Sequence, residues 1–339
     1  MKSFQVSVII PVYNAASFVP QAVESALAQP EVAEVVLVED GSPDDSLSVC
    51  QALAAASPKV TLHQHPGGVN RGAGPSRNLG MQHATCDYIG FLDADDFYLP
   101  GRFAKPAEIF AQDAACDGVY EAVGAYFEDE AGRERWLASS MAGELLTTMA
   151  YPVAPEDLFE VLIKGGKGHV HLNGLVIRRS ILAKSGLMDA AIADTLHEDV
   201  DFVMRLAAVG KLLPGRIATP SAVRRVHAEN RVSAPRSDRA IYRDRMRLRA
   251  ATYRWCKRKG LKAQRLLAFR RMLWECTHQK PFKQAGLNRL PFSSLKTARL
   301  LSWPGEVSEV VLEPLYWREL GSALWGILRN DLLKLEDRL

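Results

Sequence analysis

Asp93-Ala94-Asp95-Asp96 sets three carboxylates within four residues. Like charges this close repel one another, so the run points to a bound cation. No cysteine lies nearby, and oxygen ligands favour Mg²⁺ or Mn²⁺ over Zn²⁺. Such an ion takes one or two protein carboxylates and completes its shell with water and substrate phosphates. A nucleotide diphosphate is then the natural partner. The plain alternative is a solvated acidic turn that caps a helix. The neighbouring elements decide between the two.

The first hundred residues alternate apolar strands with amphipathic helices. Val6-Ser7-Val8-Ile9-Ile10, Val35-Val36-Leu37-Val38, Val60-Thr61-Leu62 and Tyr88-Ile89-Gly90-Phe91-Leu92 are near-continuous apolar runs, the mark of strands buried on both faces. Between them, Phe18, Val19, Ala22, Val23, Ala26 and Leu27 recur at helical spacing, as do Leu47, Val49, Cys50 and Leu53. A third helix is expected over about Pro75–Ala84. This βαβαβαβ order implies a mostly parallel, doubly wound sheet with helices on both faces. Further on, Val119–Phe127 and His171–Arg178 read as strands, and His197–Val209 as a helix stopped by Gly210. Long helical patterns follow about residue 238.

In such sheets ligands bind beyond the carboxyl ends of the strands. Here those ends carry Pro11-Val12-Tyr13-Asn14, Glu39-Asp40-Gly41-Ser42, Asn70-Arg71-Gly72 and Asp93-Ala94-Asp95-Asp96. One crevice could therefore collect an aromatic ring, five carboxylates and an arginine. There is no GxxxxGK[ST] loop, and Gly72-Ala73-Gly74 follows the third strand without completing GxGxxG. Both the P-loop and the dinucleotide readings weaken, leaving a metal to hold the diphosphate.

These motifs, with Arg77-Asn78-Leu79-Gly80 and His197-Glu198-Asp199-Val200-Asp201-Phe202, resemble the family 2 glycosyltransferases, inverting enzymes of the GT-A fold. The resemblance is strongest over residues 4–103 and continues to about 235. It implies an α/β, GT-A-type domain at 1–235; the basic, mostly helical region at 236–339 is read from its charge and spacing and has no counterpart in the resemblance. The resemblance also implies a donor site of Pro11, Tyr13, Glu39, Asp40, Arg77, Asp93 and Ala94. In that site Tyr13 and Asp40 meet the base, Asp93 the ribose, and Asp95, Asp96 and His227 the metal, Mn²⁺ or Mg²⁺. Asp199 would be the base that deprotonates the acceptor, with Asn173 and Glu198 near acceptor or sugar. Glu39 departs from the family, which more often has Asp there. His169 and His171 are expected to be packed or exposed, with a sugar contact the lesser reading.

The composition limits the setting. The net charge of +3 conceals 16 Lys/Arg against 28 Asp/Glu in residues 1–223, and 22 against 4 in residues 224–299. The five cysteines are scattered with no CxxC pair, which suits a reducing cytoplasm better than disulfides or zinc. No run approaches a membrane span, and no signal-peptide pattern precedes the first strand. The basic helices could lie on an anionic membrane, cover the acidic domain or bind a partner, and nucleic acid is the least favoured reading. Trp303, Tyr316, Trp317 and Trp325 are expected in a helical cap or a homodimer interface. The expected reaction moves a sugar, from UDP by preference, to a glycan or lipid-linked acceptor in bacterial surface polysaccharide synthesis. The rivals are a nucleotidyltransferase, which would carry a Gly-rich basic segment after the first strand, and a non-catalytic nucleotide-sugar-binding protein.

Overall fold

A computed structural model describes residues 4–138, 145–226 and 237–278. The elements in chain order are β1 (Val6–Val12), α1 (Val19–Leu27), β2 (Val32–Glu39), α2 (Ser46–Ala56), β3 (Val60–Gln64), α3 (Ala73–His83), β4 (Tyr88–Phe91), β5 (Phe97–Tyr98) and α4 (Ala104–Gln112). Next come β6 (Gly118–Tyr120), β7 (Ala122–Phe127), α5 (Glu130–Ala138), β8 (Leu146–Thr147), α6 (Pro155–Lys164), β9 (Leu175–Arg178), α7 (Leu182–Ser185), α8 (Glu198–Val209), β10 (Leu212–Pro214) and β11 (Pro220–Val226). Helices α9 (Asp238–Arg258) and α10 (Lys262–His278) complete the described chain. Two compact units result, Met1–Pro235 and Arg236–Leu339.

The first unit is built on a seven-stranded sheet in the order β10-β6-β9-β4-β1-β2-β3. All its pairs are parallel except those of β9, which runs antiparallel to β4 and β6. Side chains alternate across a strand. Val6, Val8, Ile10 and Val12 of β1 therefore join Val19, Ala22 and Val23 of α1 and Phe110 of α4 in one core layer. Ile9 points the other way, against Gly80 of α3. On that same side Phe91 meets Phe202 of α8 edge-on at 6.1 Å. The mixed α/β sheet with helices on both faces is the architecture expected above.

Two expected strands are interrupted. Val119–Phe127 divides at Glu121: β6 lies in the large sheet, while β7 belongs to a four-stranded sheet of order β5-β11-β7-β8. The break has a polar cause. Glu121 is buried and accepts from Arg102 Nη1 at 3.0 Å and from Arg216 Nε at 3.1 Å, so the chain turns inward there. His171–Arg178 likewise opens as a 3₁₀ turn at Leu172–Gly174 before β9 begins.

In the second unit α9 and α10 form a hairpin broken at Gly260, whose φ of 70° suits glycine. Tyr253 and Phe269 pack between them with centroids 6.1 Å apart. Buried Glu275 accepts from Arg249 Nε at 3.1 Å and from Arg271 Nε at 2.9 Å. At the turn Lys257, Arg258, Lys259 and Lys262 are all exposed. Trp303, Tyr316, Trp317 and Trp325 lie outside the described residues. Among the described residues no helix is long and apolar enough to cross a membrane.

Gly80 sets how closely α3 approaches β1, because a Cβ there would stand 2.4 Å from Ile9 Cγ2. Gly80→Ala is expected to destabilise the protein by about 1–3 kcal/mol, the usual cost of overpacking. Urea unfolding should show a lower midpoint with an unchanged slope. An unchanged midpoint would mean that α3 shifts without cost.

Candidate active site

The Asp93–Asp96 turn leaves the end of β4 and closes through Asp96 N–H to the Asp93 carbonyl at 3.0 Å. Donors from distant elements hold it. Asn173 accepts Asp93 N–H on Oδ1 at 3.1 Å and donates Nδ2 to Asp96 Oδ2 at 2.6 Å. Arg225 of β11 donates its backbone N–H to Asp96 Oδ1 at 2.8 Å and its Nε to the Asp95 carbonyl at 3.0 Å. Both oxygens of buried Asp96 thus accept bonds. Even so, burial and the like charges of Asp95 and Asp93 push its carboxyl well above the usual range.

Asn173 is itself fully buried, and its carbonyl accepts from Arg102 Nε at 3.0 Å. Its amide is occupied inside the protein, so its place is beneath the turn and not at the surface a sugar would touch. Arg102 is also fully buried, with its guanidinium 4.8 Å from the centre of the Phe103 ring. Ala94 is buried within the turn.

Ligand atoms of Asp93, Asp96 and His171 all lie within 4.8 Å of one another. Opposite ligands of an octahedral Mg²⁺-like ion stand about 4.2 Å apart. Small side-chain rotations would therefore bring the trio to one centre, and its excess negative charge suits a divalent cation. The imidazole complicates this fit. His171 Nδ1 accepts from Asn173 N–H at 3.2 Å, which in a neutral ring leaves the proton on Nε2. In that tautomer Nε2 is a donor suited to a phosphate or carboxylate oxygen, and metal ligation takes the opposite tautomer. Burial holds the ring neutral, pulling its pKa down to about 3 against the attraction of Asp93. Asp95 lies outside the trio, and His227 lies outside the described residues.

At the next strand ends the expected carboxylates hold loops. Glu39 Oε1 accepts Ser42 N–H, and Oε2 accepts Gln64 Nε2, both at 2.6 Å. Asp40 accepts the backbone N–H groups of Arg71 and Gly72, one on each oxygen at 2.8 Å. His65 Nε2 stands 3.6 Å from Asp40 and 3.0 Å from Ser76 Oγ. The loop after β1 is fastened in turn, with Ala15 N–H on Ser46 Oγ at 2.9 Å and Ala16 N–H on Asp44 Oδ2 at 3.0 Å. Pro11 is half-buried, and Tyr13 is 51% exposed at the crevice rim.

Arg77 closes the site. From the buried face of α3 it donates Nη2 to Asp93 Oδ1 at 2.6 Å and Nη1 to Glu198 Oε1 at 3.5 Å. Burial opposes its charge, but Asp93, Glu198 and Asp199 keep it firmly protonated. Burial also works against the Asp93 carboxylate, yet the charges of Arg77 and Arg224 hold its carboxyl below the usual range. One guanidinium thus joins the end of β4 to the first turn of α8. In that turn Glu198 points inward and is buried, while Asp199 is half-exposed with Oδ1 accepting Val200 N–H at 2.7 Å.

Three contributors were not expected in these roles. His171 carries no local pattern beyond standing two residues before Asn173. Arg224 and Arg225 fall where the basic stretch begins, yet they sit on β11. Arg225 grips the turn there, and the charge of Arg224 acts on Asp93, Asp96 and His171.

Known proteins agree with this architecture. The family model described as glycosyl transferase family 2 matches residues 7–184. The succinoglycan biosynthesis protein ExoU of Rhizobium meliloti is 43% identical over 100 residues, covering 30% of this chain and 29% of that protein. The uncharacterised glycosyltransferase YibD of Escherichia coli is 31% identical over 204 residues, covering 58% of this chain and 54% of that protein. The chain thus spans less than two thirds of either relative. Among solved structures, S. aureus TarS 1-349 superposes with a TM-score of 0.59 at 16% identity, covering 92% of this chain and 82% of that one, a likeness of fold. A β4-end acidic turn on a mostly parallel sheet, matched by the family model over more than half of its length, makes this chain a member of glycosyl transferase family 2.

Proposed function

We propose that this protein transfers a sugar, with inversion, from a nucleotide-diphosphate sugar to a hydroxyl of a glycan or lipid-linked acceptor in bacterial surface polysaccharide synthesis. The observation that carries the reading is the Arg77 bridge, which joins Asp93 to Glu198, the neighbour of Asp199, through one guanidinium. The succinoglycan role in the name of ExoU supports the polysaccharide acceptor. UDP is the favoured nucleotide, in keeping with a TarS structure solved with UDP-GlcNAc.

In this reading Tyr13 offers its exposed ring to the base, flanked by Pro11, and the Glu39-Asp40 segment shapes the base pocket through the loop it holds. Asp93 faces the ribose and diphosphate. Asp93, Asp95 and Asp96 would hold the metal, with His227 a further candidate, while His171 would donate Nε2–H to a diphosphate oxygen. A bound Mn²⁺ or Mg²⁺ supplies charge for the departing diphosphate. Asp199 takes the proton from the acceptor hydroxyl as its oxygen bonds to the anomeric carbon and the bond to the diphosphate breaks, its electron pair leaving with the diphosphate.

A panel of nucleotide sugars, with and without Mn²⁺ or Mg²⁺, tests the reaction by nucleoside diphosphate release and thermal shift. Hydrolysis or stabilisation by at least one donor is expected, and silence across the panel would reject a transferase. Asp199→Asn should lower transfer by at least about 100-fold, the scale of a lost general base, while leaving donor affinity near normal. Retained transfer or lost binding would overturn its role.

The second unit extends the reading to the membrane. The exposed cations of the α9–α10 turn suit an anionic lipid surface, which attracts each with about 1 kcal/mol. The protein should sediment with phosphatidylglycerol vesicles at low salt and not with phosphatidylcholine vesicles. Reversing Lys257, Arg258, Lys259 and Lys262 to Glu should abolish this. Equal sedimentation of wild type and variant would exclude the turn as the contact.

A further inference from the structure

We propose that α3 is a bracket that positions the acceptor base, with Arg77, Asn78 and Glu198 as its positioning residues. The inference rests on the reading of Asp199 as that base. Gly74, Arg77 and Asn78 stand at i, i+3 and i+4 on α3 and so share one face. Gly74 and Arg77 meet the first residue of α8, and Asn78 holds the segment that leads into it.

The backbone at Gly74 lies against Glu198, where a Cβ would stand 3.0 Å from Glu198 Cγ. Arg77 ties the Glu198 carboxylate to Asp93 on the donor side. Asn78 donates Nδ2 to the Met188 carbonyl at 2.9 Å and accepts Met188 N–H on Oδ1 at 2.8 Å. A paired side-chain bond of this kind fixes both the position and the direction of the backbone it holds.

The segment between these anchors is stiffened locally. Asp189 Oδ1 accepts Ala191 N–H at 2.9 Å, Thr195 Oγ1 donates to the Ile192 carbonyl at 2.7 Å, and His197 N–H returns to Thr195 Oγ1 at 3.2 Å. From its far side Arg205 of α8 reaches back to the carbonyls of Ser185 and Leu187 at 3.0 and 2.8 Å. The start of α3 is fastened to the donor half as well, through Asp40 at Gly72 and through Ser76 at His65. Donor carboxylates and acceptor base are therefore referenced to one rigid helix. Glu198 is committed to the bracket, and its neighbour Asp199 is left at the crevice.

This division makes a specific kinetic prediction. Glu198→Gln keeps the Arg77–Asp93 pair, and Asn78→Ala touches neither carboxylate. Each variant should lower kcat by about 10- to 100-fold, since a base displaced by about 1 Å costs on that order. Each should leave the donor KM, and the calorimetric Kd for UDP with Mn²⁺, within about twofold. The kinetic donor is the one the nucleotide-sugar panel identifies. Unchanged kcat in both variants overturns the bracket. So does a raised acceptor KM with intact kcat in Glu198→Gln, which would place Glu198 on a sugar. Asp199→Asn, run in parallel, separates the two ideas. If it retains transfer, the base assignment fails and the bracket with it. If it is inactive while the other two variants are normal, the bracket alone fails. Should Glu198→Gln not fold, Asn78→Ala decides by the same split.

Discussion

Everything at this site depends on holding three mutually repelling carboxylates at the end of one strand. The Asp93–Asp96 turn cannot satisfy its own side chains, because the carboxylates are all acceptors. Donors reach it from the turn before β9, from β11 and from α3, through Asn173, Arg225 and Arg77 respectively. Those residues are separated from it by 77, 129 and 16 positions. The local geometry is thus a property of the whole first unit. If the two sheets failed to meet, the turn would lose its partners and its charges would spread.

Beneath the turn lies a second polar layer. Arg102 and Glu121 are both fully out of solvent, an arrangement whose desolvation is costly unless each group finds several partners. They do. Glu121 receives Arg102 on one oxygen and the Arg216 Nε and backbone N–H on the other, while Arg102 supports Asn173 and packs on Phe103. This pair stands where the chain passes from the large sheet to the small one. A purely apolar seam would give Asn173 no fixed height, whereas the ion pair sets it through the Arg102 Nε bond.

The sequence made the scaffold legible where burial on both faces writes long Val and Ile runs, as in β1 and β2, and where Gly210 and Gly260 stop helices. It did not reveal the break at Glu121, since eight of the nine residues from Val119 to Phe127 continue an uncharged pattern. Strands as short as β5 and β8 leave no periodicity to read. In the site, clustering exposed Asp93 to Asp96, but the work of Glu39 and Asp40 was hidden. Most of their partners are backbone N–H groups, at Ser42, Arg71 and Gly72, which every residue type except proline carries. Arg224 and Arg225 were concealed by charge counting, which assigns them to the basic stretch that starts at their position. Their strand pairing with Ala125 and Tyr126 instead returns them to the acidic unit.

That return bears on how an acidic unit could bind a diphosphate at all. A crevice lined by all the carboxylates of residues 1–223 would repel such a ligand. The structure removes many of them from its view. Glu39, Asp40, Glu121, Glu198 and Asp201 are buried and bonded to internal donors, so their charge is spent on holding loops and helices. Neighbours in sequence diverge for a geometric reason: successive side chains point apart on a turn or a helix. Asp96 is therefore buried beside half-exposed Asp95, and Glu198 beside half-exposed Asp199. What remains at the crevice, beside the buried Asp96, is a short acidic set, Asp93, Asp95 and Asp199, opposed by the charges of Arg77 and Arg224. A set of that size is one that a single divalent ion and a few donors can balance, and this is the electrostatic condition a phosphate-bearing substrate requires.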